Sequence, residues 1–194
     1  MNRRAFFTGS VVAVGPGIAG CVTDRRDGEV LTDAVLTTKR IRVDWESAAG
    51  SFRTHVLSAY PDQSTLRGTV AAEIDDVVRS IDDIRVPESV DDRLRSAFDD
   101  FAYAVGVGHE DADEEDTGDE TITFDSAPPS TVSREQFNRL QFGDSLDVRL
   151  SGTSFDPNLE LLERNEGRHD GPTEMVISSR DFSDVHSGRD PPSI

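Results

Sequence analysis

The residues most suggestive of chemistry are Gly143-Asp144-Ser145-Leu146. A serine becomes a nucleophile when a base takes its proton and a third group orients that base. Downstream, Asp184-Val185-His186 offers an acid and a base, about 40 residues after Ser145. The other histidines, His55, His109 and His169, are scattered, and no pair has the i, i+4 spacing of a helical zinc site. A second acidic grouping, Asp111, Asp113 and Glu115, stands in a run without large apolar residues. One cysteine, Cys21, ends an apolar stretch near the start of the chain.

The string at 143–146 resembles the signature of the GDSL lipases and esterases, which implies Ser145 as nucleophile of a small exported hydrolase. Its surroundings read differently. In that family the serine follows a buried strand and enters the turn before a helix. Here a helix capped at Ser133 precedes it, and the alternation of Leu146, Val148 and Leu150 after it predicts a strand. The family's D-x-x-H block is replaced by Asp184-Val185-His186, one residue too close, and the blocks that complete an oxyanion hole have no counterpart. The string therefore reads as a helix exit, with Gly143 at C′, and a turn. No catalytic set of nucleophile, base and orienter is expected.

The acidic run has the first three positions of a calcium loop, but the glycine and glutamate that follow in an EF-hand are Asp116 and Ile122 here. Gly106-Val107-Gly108 lacks the third glycine and the following helix of a phosphate cradle. Neither a cofactor nor a metal site is expected.

The start of the chain is more specific. Arg3 and Arg4 precede a short apolar segment broken by Gly15-Pro16-Gly17, too short to span a bilayer, which takes about 20 residues. A charged start, short apolar middle and small-residue exit form an export signal. Arg3-Arg4 followed by Ala5-Phe6 resembles the twin-arginine motif, with the apolar residue Phe6 two places after the pair. Ile18-Ala19-Gly20-Cys21 resembles a lipobox, which implies cleavage before Cys21 and a lipid on its thiol. With one cysteine, no disulfide forms within the chain. Residues 1–20 are thus read as the signal and 21–29 as the lipidated cysteine and its tether. The expected location is the outer face of the cell membrane.

Composition adds a solvent. Residues 21–194 keep all 38 acidic residues and 18 of the 20 basic ones, a balance of −20. Aspartate leads glutamate 25 to 13, and Lys39 is the only lysine beside 19 arginines. Such self-repulsion disfavours a compact state in dilute buffer but is screened over roughly 3 Å in molar salt. The profile resembles that of haloarchaeal proteins. It also excludes nucleic acid as a partner, since phosphate backbones require a basic face.

The elements follow from periodicity. Ile41, Val43 and Trp45 alternate with polar residues, a turn falls at residues 47–50, and the alternation resumes from Phe52 to Tyr60, giving a β-hairpin over 34–60. Leu66, Val70, Ile74, Val77, Ile81 and Ile84 recur at three- and four-residue steps, predicting a helix over 64–84. Val90, Leu94, Ala97, Phe98, Phe101 and Val105 predict a second, with Ser89 near its start. Residues 108–120 form an acidic loop, Ile122 and Phe124 a short strand, and Ser133 with Gln136 the capping box of a third helix to about Phe142. Strands follow at 145–151 and 174–178, then a disordered tail over 183–194. The order predicts an α+β fold: one domain over 30–182, with an antiparallel sheet, a helical hairpin and a third helix. The functional expectation is a lipid-anchored, non-catalytic binding or structural module whose one predicted partner is the membrane.

Overall fold

The computed structural model describes residues 25–109, 129–153, 157–167 and 171–194. Its backbone is dominated by one strand, β1 (Arg25–Ser47), 23 residues long. Ile41, Val43 and Trp45 point into the core, each contributing about 2 kcal/mol by burial. A two-residue turn, Ala48-Ala49, returns the chain as β2 (Gly50–Asp62), with Ser47 opposite Gly50. Gly50 has φ 127°, a conformation that a residue without Cβ adopts at least cost.

The chain then makes β3 (Thr65–Ala71), a 3₁₀ segment (Ala72–Val77) and a small hairpin of β4 (Val78–Ser80) and β5 (Asp83–Ile84). Next come α1 (Glu88–Ala97), β6 (Asp100–Gly108), β7 (Ser130–Val132) and α2 (Arg134–Arg139). The last elements are β8 (Ser145–Thr153), β9 (Pro157–Asn165), β10 (Glu174–Arg180) and the one-turn α3 (Phe182–Val185). The main sheet runs β10-β3-β2-β1-β6-β7, antiparallel except where β10 lies parallel to β3.

β1 serves two sets of partners. Its first part pairs with β8, which carries β9; its second part pairs with β2 and β6. The exchange comes at a bulge between Leu31 and Ala34, immediately before Val35 pairs with Gly108. β7 and β9, the outer strands of the two limbs, lie side by side. The sheet thus curls around one cluster of buried apolar side chains that draws on all its main strands. Among the described residues no helix is long and apolar enough to cross a membrane.

The architecture is strand-dominated, and the expected balance of helix and sheet is corrected at three places. The helix expected over 64–84 is β3, the 3₁₀ segment and the β4–β5 hairpin. Leu66 and Val70 are four apart, a spacing that fits a helix turn and also two full strand periods. The residue between them on the inward face is Gly68, where an added Cβ would lie 2.0 Å from the Ser58 carbonyl oxygen. The sheet demands an empty position there, which hides the two-residue period. The second expected helix stops at Ala97, and Phe101, Tyr103, Val105 and Val107 are the inward side of β6. Its outward side, Ala102, Ala104 and Gly106, is too apolar to mark the alternation. No helical hairpin forms, and α1 is preceded by Pro87, with Ser89 inside its first turn and making no cap.

The tail is the third correction. Phe182 is buried, its N–H donates to Glu73 Oε1 at 3.1 Å, and Ile194 packs on the core. Residues 183–194 lie folded back on the sheet. The region assigned to a tether is shortened as well, because β1 already begins at Arg25. The expected strand at Ile122 and Phe124 lies outside the described residues, and β9 is a strand not among those expected, with Leu159 buried and Leu161 packed on the core.

Candidate functional site

The α2–β8 junction carries the string that suggested a nucleophile. The capping box of α2 is present: Gln136 N–H donates to Ser133 Oγ at 3.1 Å and Ser133 N–H to Gln136 Oε1 at 3.2 Å. The helix ends at Arg139, earlier than expected, because side chains claim its last carbonyls. Lys39 Nζ donates to Phe137 O at 2.8 Å, Leu140 O at 2.7 Å and Ile84 O at 2.7 Å. Gln141 Nε2 donates to Asn138 O at 2.8 Å, and Gln141 N–H turns to Asp144 Oδ2, also at 2.8 Å. Asn138 and Gln141 bond the backbone of Val86 and Ile84 much as a neighbouring strand would.

Lys39, the chain's one lysine, is thus wholly buried. Burial, reinforced by the nearby Arg85 guanidinium, pushes its amine well below the ordinary lysine range. Such a shift also marks nucleophilic lysines, but here all three protons are directed at carbonyls and the Phe137 ring lies 4.3 Å away. The compact ammonium supplies three donors from one nitrogen, which suits three converging carbonyls better than a planar fork.

Ser145 opens β8, as expected of a strand start, and is fully buried. Its hydroxyl donates to Asp33 Oδ1 at 3.0 Å, and Asp33 N–H donates to Asp147 Oδ1 at 3.0 Å. Asp33 has φ 54° at the β1 bulge. Ser145 and Asp147 therefore fasten the point where β1 exchanges partners, offsetting the cost of left-handed backbone, about 1 kcal/mol. Asp144 is buried and paired with Arg164, Nε to Oδ2 at 2.7 Å and Nη2 to Oδ1 at 3.3 Å. Gly143 has φ 88° in the turn itself, four residues past the last helical residue, and is not the helix's C′.

His186 does not join this group. It packs on Trp45 and Phe182, with ring centroids 5.4 and 4.6 Å away. Leu146 pairs with Ala34, eleven positions before Trp45 on β1, so about 36 Å of strand path, at about 3.3 Å per residue, lies between the serine's end of β1 and the cluster that holds the histidine. Burial, then the Arg189 charge, lowers the His186 pKa. Trp45 Nε1–H donates to Arg189 O at 3.4 Å, fixing the C-terminal segment to the same aromatic cluster.

His109 is exposed at the end of β6, and His55 lies on β2 opposite Arg42. Among the described residues no group of three or more His, Cys, Asp or Glu could hold a metal ion. Cys21, Arg3, Arg4, Phe6, His169 and the acidic run from 110 onward lie outside the described residues.

Two open cavities flank α2. The first, about 460 Å³, contains Asp91, Arg95, Phe101, Tyr103 and Arg134 among its walls. Tyr103 Oη–H donates to Asp91 Oδ1 at 2.6 Å, and burial together with that carboxylate pushes the phenol's pKa up. Burial works against ionised Asp91, but the hydrogen bonds from Tyr103 and Arg95 outweigh it and hold the carboxyl low. Asp91 is buried and points inward, while its neighbour Asp92 is exposed. The second cavity, about 480 Å³, is lined by Arg85, Arg134, Glu135, Asn138, Arg139 and Arg164. No local pattern marks it, because its arginines come from three segments that are distant in the chain.

No family model, curated protein or solved structure matches the chain.

Proposed function

We propose that this chain is a lipid-anchored, outward-facing membrane lipoprotein of a halophile, working as a binding or structural module without chemistry of its own. The observation that carries the reading is Cys21, the one cysteine, standing at the end of an export-type segment that starts with Arg3-Arg4 and Phe6. Two lipid chains on one thiol give lasting attachment, each buried methylene contributing about 0.8 kcal/mol. β1 begins at Arg25, so only residues 22–24 separate that thiol from the sheet. A module on so short a tether sits close to the membrane surface. The acidic, lysine-poor surface suits molar salt, where screening removes most of the self-repulsion.

Reading the module as non-catalytic is supported by the commitments of its most reactive side chains. Ser145 anchors a bulge, Lys39 holds three carbonyls and His186 sits in an aromatic cluster.

Replacing Cys21 tests the anchor. Cys21→Ser should leave protein unprocessed or released to the medium. Arg3→Lys with Arg4→Lys should trap precursor inside, because the twin-arginine pathway reads the guanidinium pair as well as the charge. Detergent partitioning and intact mass of the membrane fraction measure both. A Cys21→Ser protein that still partitions into detergent at the wild-type mass would overturn the lipid anchor.

A further inference from the structure

The cavity beside α2 sets four guanidinium groups against a single carboxylate, Glu135, in a chain with net charge −18. Acidic residues outnumber basic ones 38 to 20, so a surface arginine ordinarily finds a carboxylate. Many here do: Arg53, Arg67, Arg93 and Arg149 each pair with one, and Arg42 with two. The cavity departs from that rule. Arg164 is fully engaged by Asp144 and Glu166. Arg85 holds Asp83 through Nε at 3.2 Å, leaving its outer nitrogens. Among the described residues Arg134 donates only to the Val86 carbonyl, at 3.4 Å, and feels the Asp91 carboxylate through space without a direct ion pair, while Arg139 makes no hydrogen bond or ion pair.

We propose that this cavity binds a phosphorylated or sulfated small molecule, with the forks of Arg134 and Arg139 taking the oxyanion and Arg85 flanking it. Guanidinium forks bind oxyanions bidentately with charge-assisted bonds, a geometry that chloride cannot reproduce. That distinction matters for a site that works in molar chloride, where simple charge attraction is screened. The volume of about 480 Å³ is that of a small-ligand site and far exceeds one oxyanion. The anion is therefore the head of a larger molecule. Glu135 on the rim disfavours a ligand that is anionic throughout. The proposal goes beyond the anchored-module reading and does not need the lipid anchor, since the site lies wholly within residues 85–164; the molar salt rests on that reading.

Calorimetric titration of the purified full-length chain, in detergent and constant 2 M potassium chloride, tests this with inorganic phosphate, inorganic sulfate, glucose 6-phosphate and glucose. Saturable binding of an oxyanion is expected, with glucose inert and the sugar phosphate tighter than free phosphate. Preference for phosphate over sulfate assigns a phosphate ester, and the reverse a sulfate ester. Arg139→Gln should weaken binding about tenfold, and Arg134→Gln with Arg139→Gln should weaken it further. Arg93→Gln, on another face, should leave it unchanged. Arg139 has no partner to lose among the described residues, so its variant keeps the fold, which circular dichroism checks. Absence of saturable binding by all three oxyanions, or equal affinity in Arg139→Gln, would overturn the site.

Discussion

Lys39 directs all its donors at three carbonyls, whereas across Arg164, in the neighbouring cavity, the guanidinium groups of Arg134 and Arg139 have almost no acceptors among the described residues. The two regions share a helix, since α2 gives its carbonyls to Lys39 on one side and its arginines to the cavity on the other. The inner region holds the side chains that suggest chemistry: an amine with a depressed pKa, a serine beside a carboxylate and a buried aspartate. All are engaged by partners within the fold, backbone carbonyls for Lys39, the Asp33 carboxylate for Ser145 and the Arg164 guanidinium for Asp144. The outer region has unremarkable surface residues, yet its hydrogen-bonding capacity is left over. Capacity to recognise a ligand follows unspent donors in an open site more closely than it follows the reactivity of residue types.

The sharpest way to break that comparison is Lys39→Met. It takes Lys39 away from Phe137 O and Leu140 O and leaves Ile84 O with only the 3.4 Å bond from Gln141 Nε2, each loss costing about 1 kcal/mol, so stability should fall by about 2–3 kcal/mol. Arg139→Gln should shift it by less than about 0.5 kcal/mol. Chemical denaturation in 2 M potassium chloride compares the two, and similar midpoints would remove the distinction between saturated and unspent donors.

Ser145→Ala should have an intermediate effect. It strips one hydrogen bond from the Asp33 bulge and should cost about 1 kcal/mol, without changing arginine-dependent anion binding. A variant of unaltered stability would show that Asp147 alone holds the bulge.

The smallest effect is a shallow dependence on pH at the aromatic cluster. His186 is held below the ordinary histidine value by burial and then Arg189, and His55 by burial and then Arg40 and Arg42. With folded values depressed, the unfolded chain takes up protons first. Stability is therefore full above about pH 6.5 and declines as pH falls through the lowered folded values. His186→Gln should flatten part of that decline and leave the His55 share. Denaturation midpoints between pH 7.5 and 5 measure it, and an unchanged slope would place the titration elsewhere.

Local patterns in the sequence determined the parts of this protein whose stabilising partners lie a few residues away. The turn at 47–50, the inward alternation of Ile41, Val43 and Trp45, the Ser133–Gln136 capping box and the strand beginning at Ser145 are all present as read. Tertiary structure decided where one spacing serves two periods, as at Leu66 and Val70, with Gly68 vacated for the Ser58 carbonyl. It decided the end of α2 through Lys39, about 100 residues upstream, and the role of Ser145 through Asp33, 112 residues away. It also gathered Arg85, Arg139 and Arg164 around one cavity. Periodicity records which face of an element is apolar, but a polar side chain's task depends on the atoms that meet it, and chain folding alone brings those together.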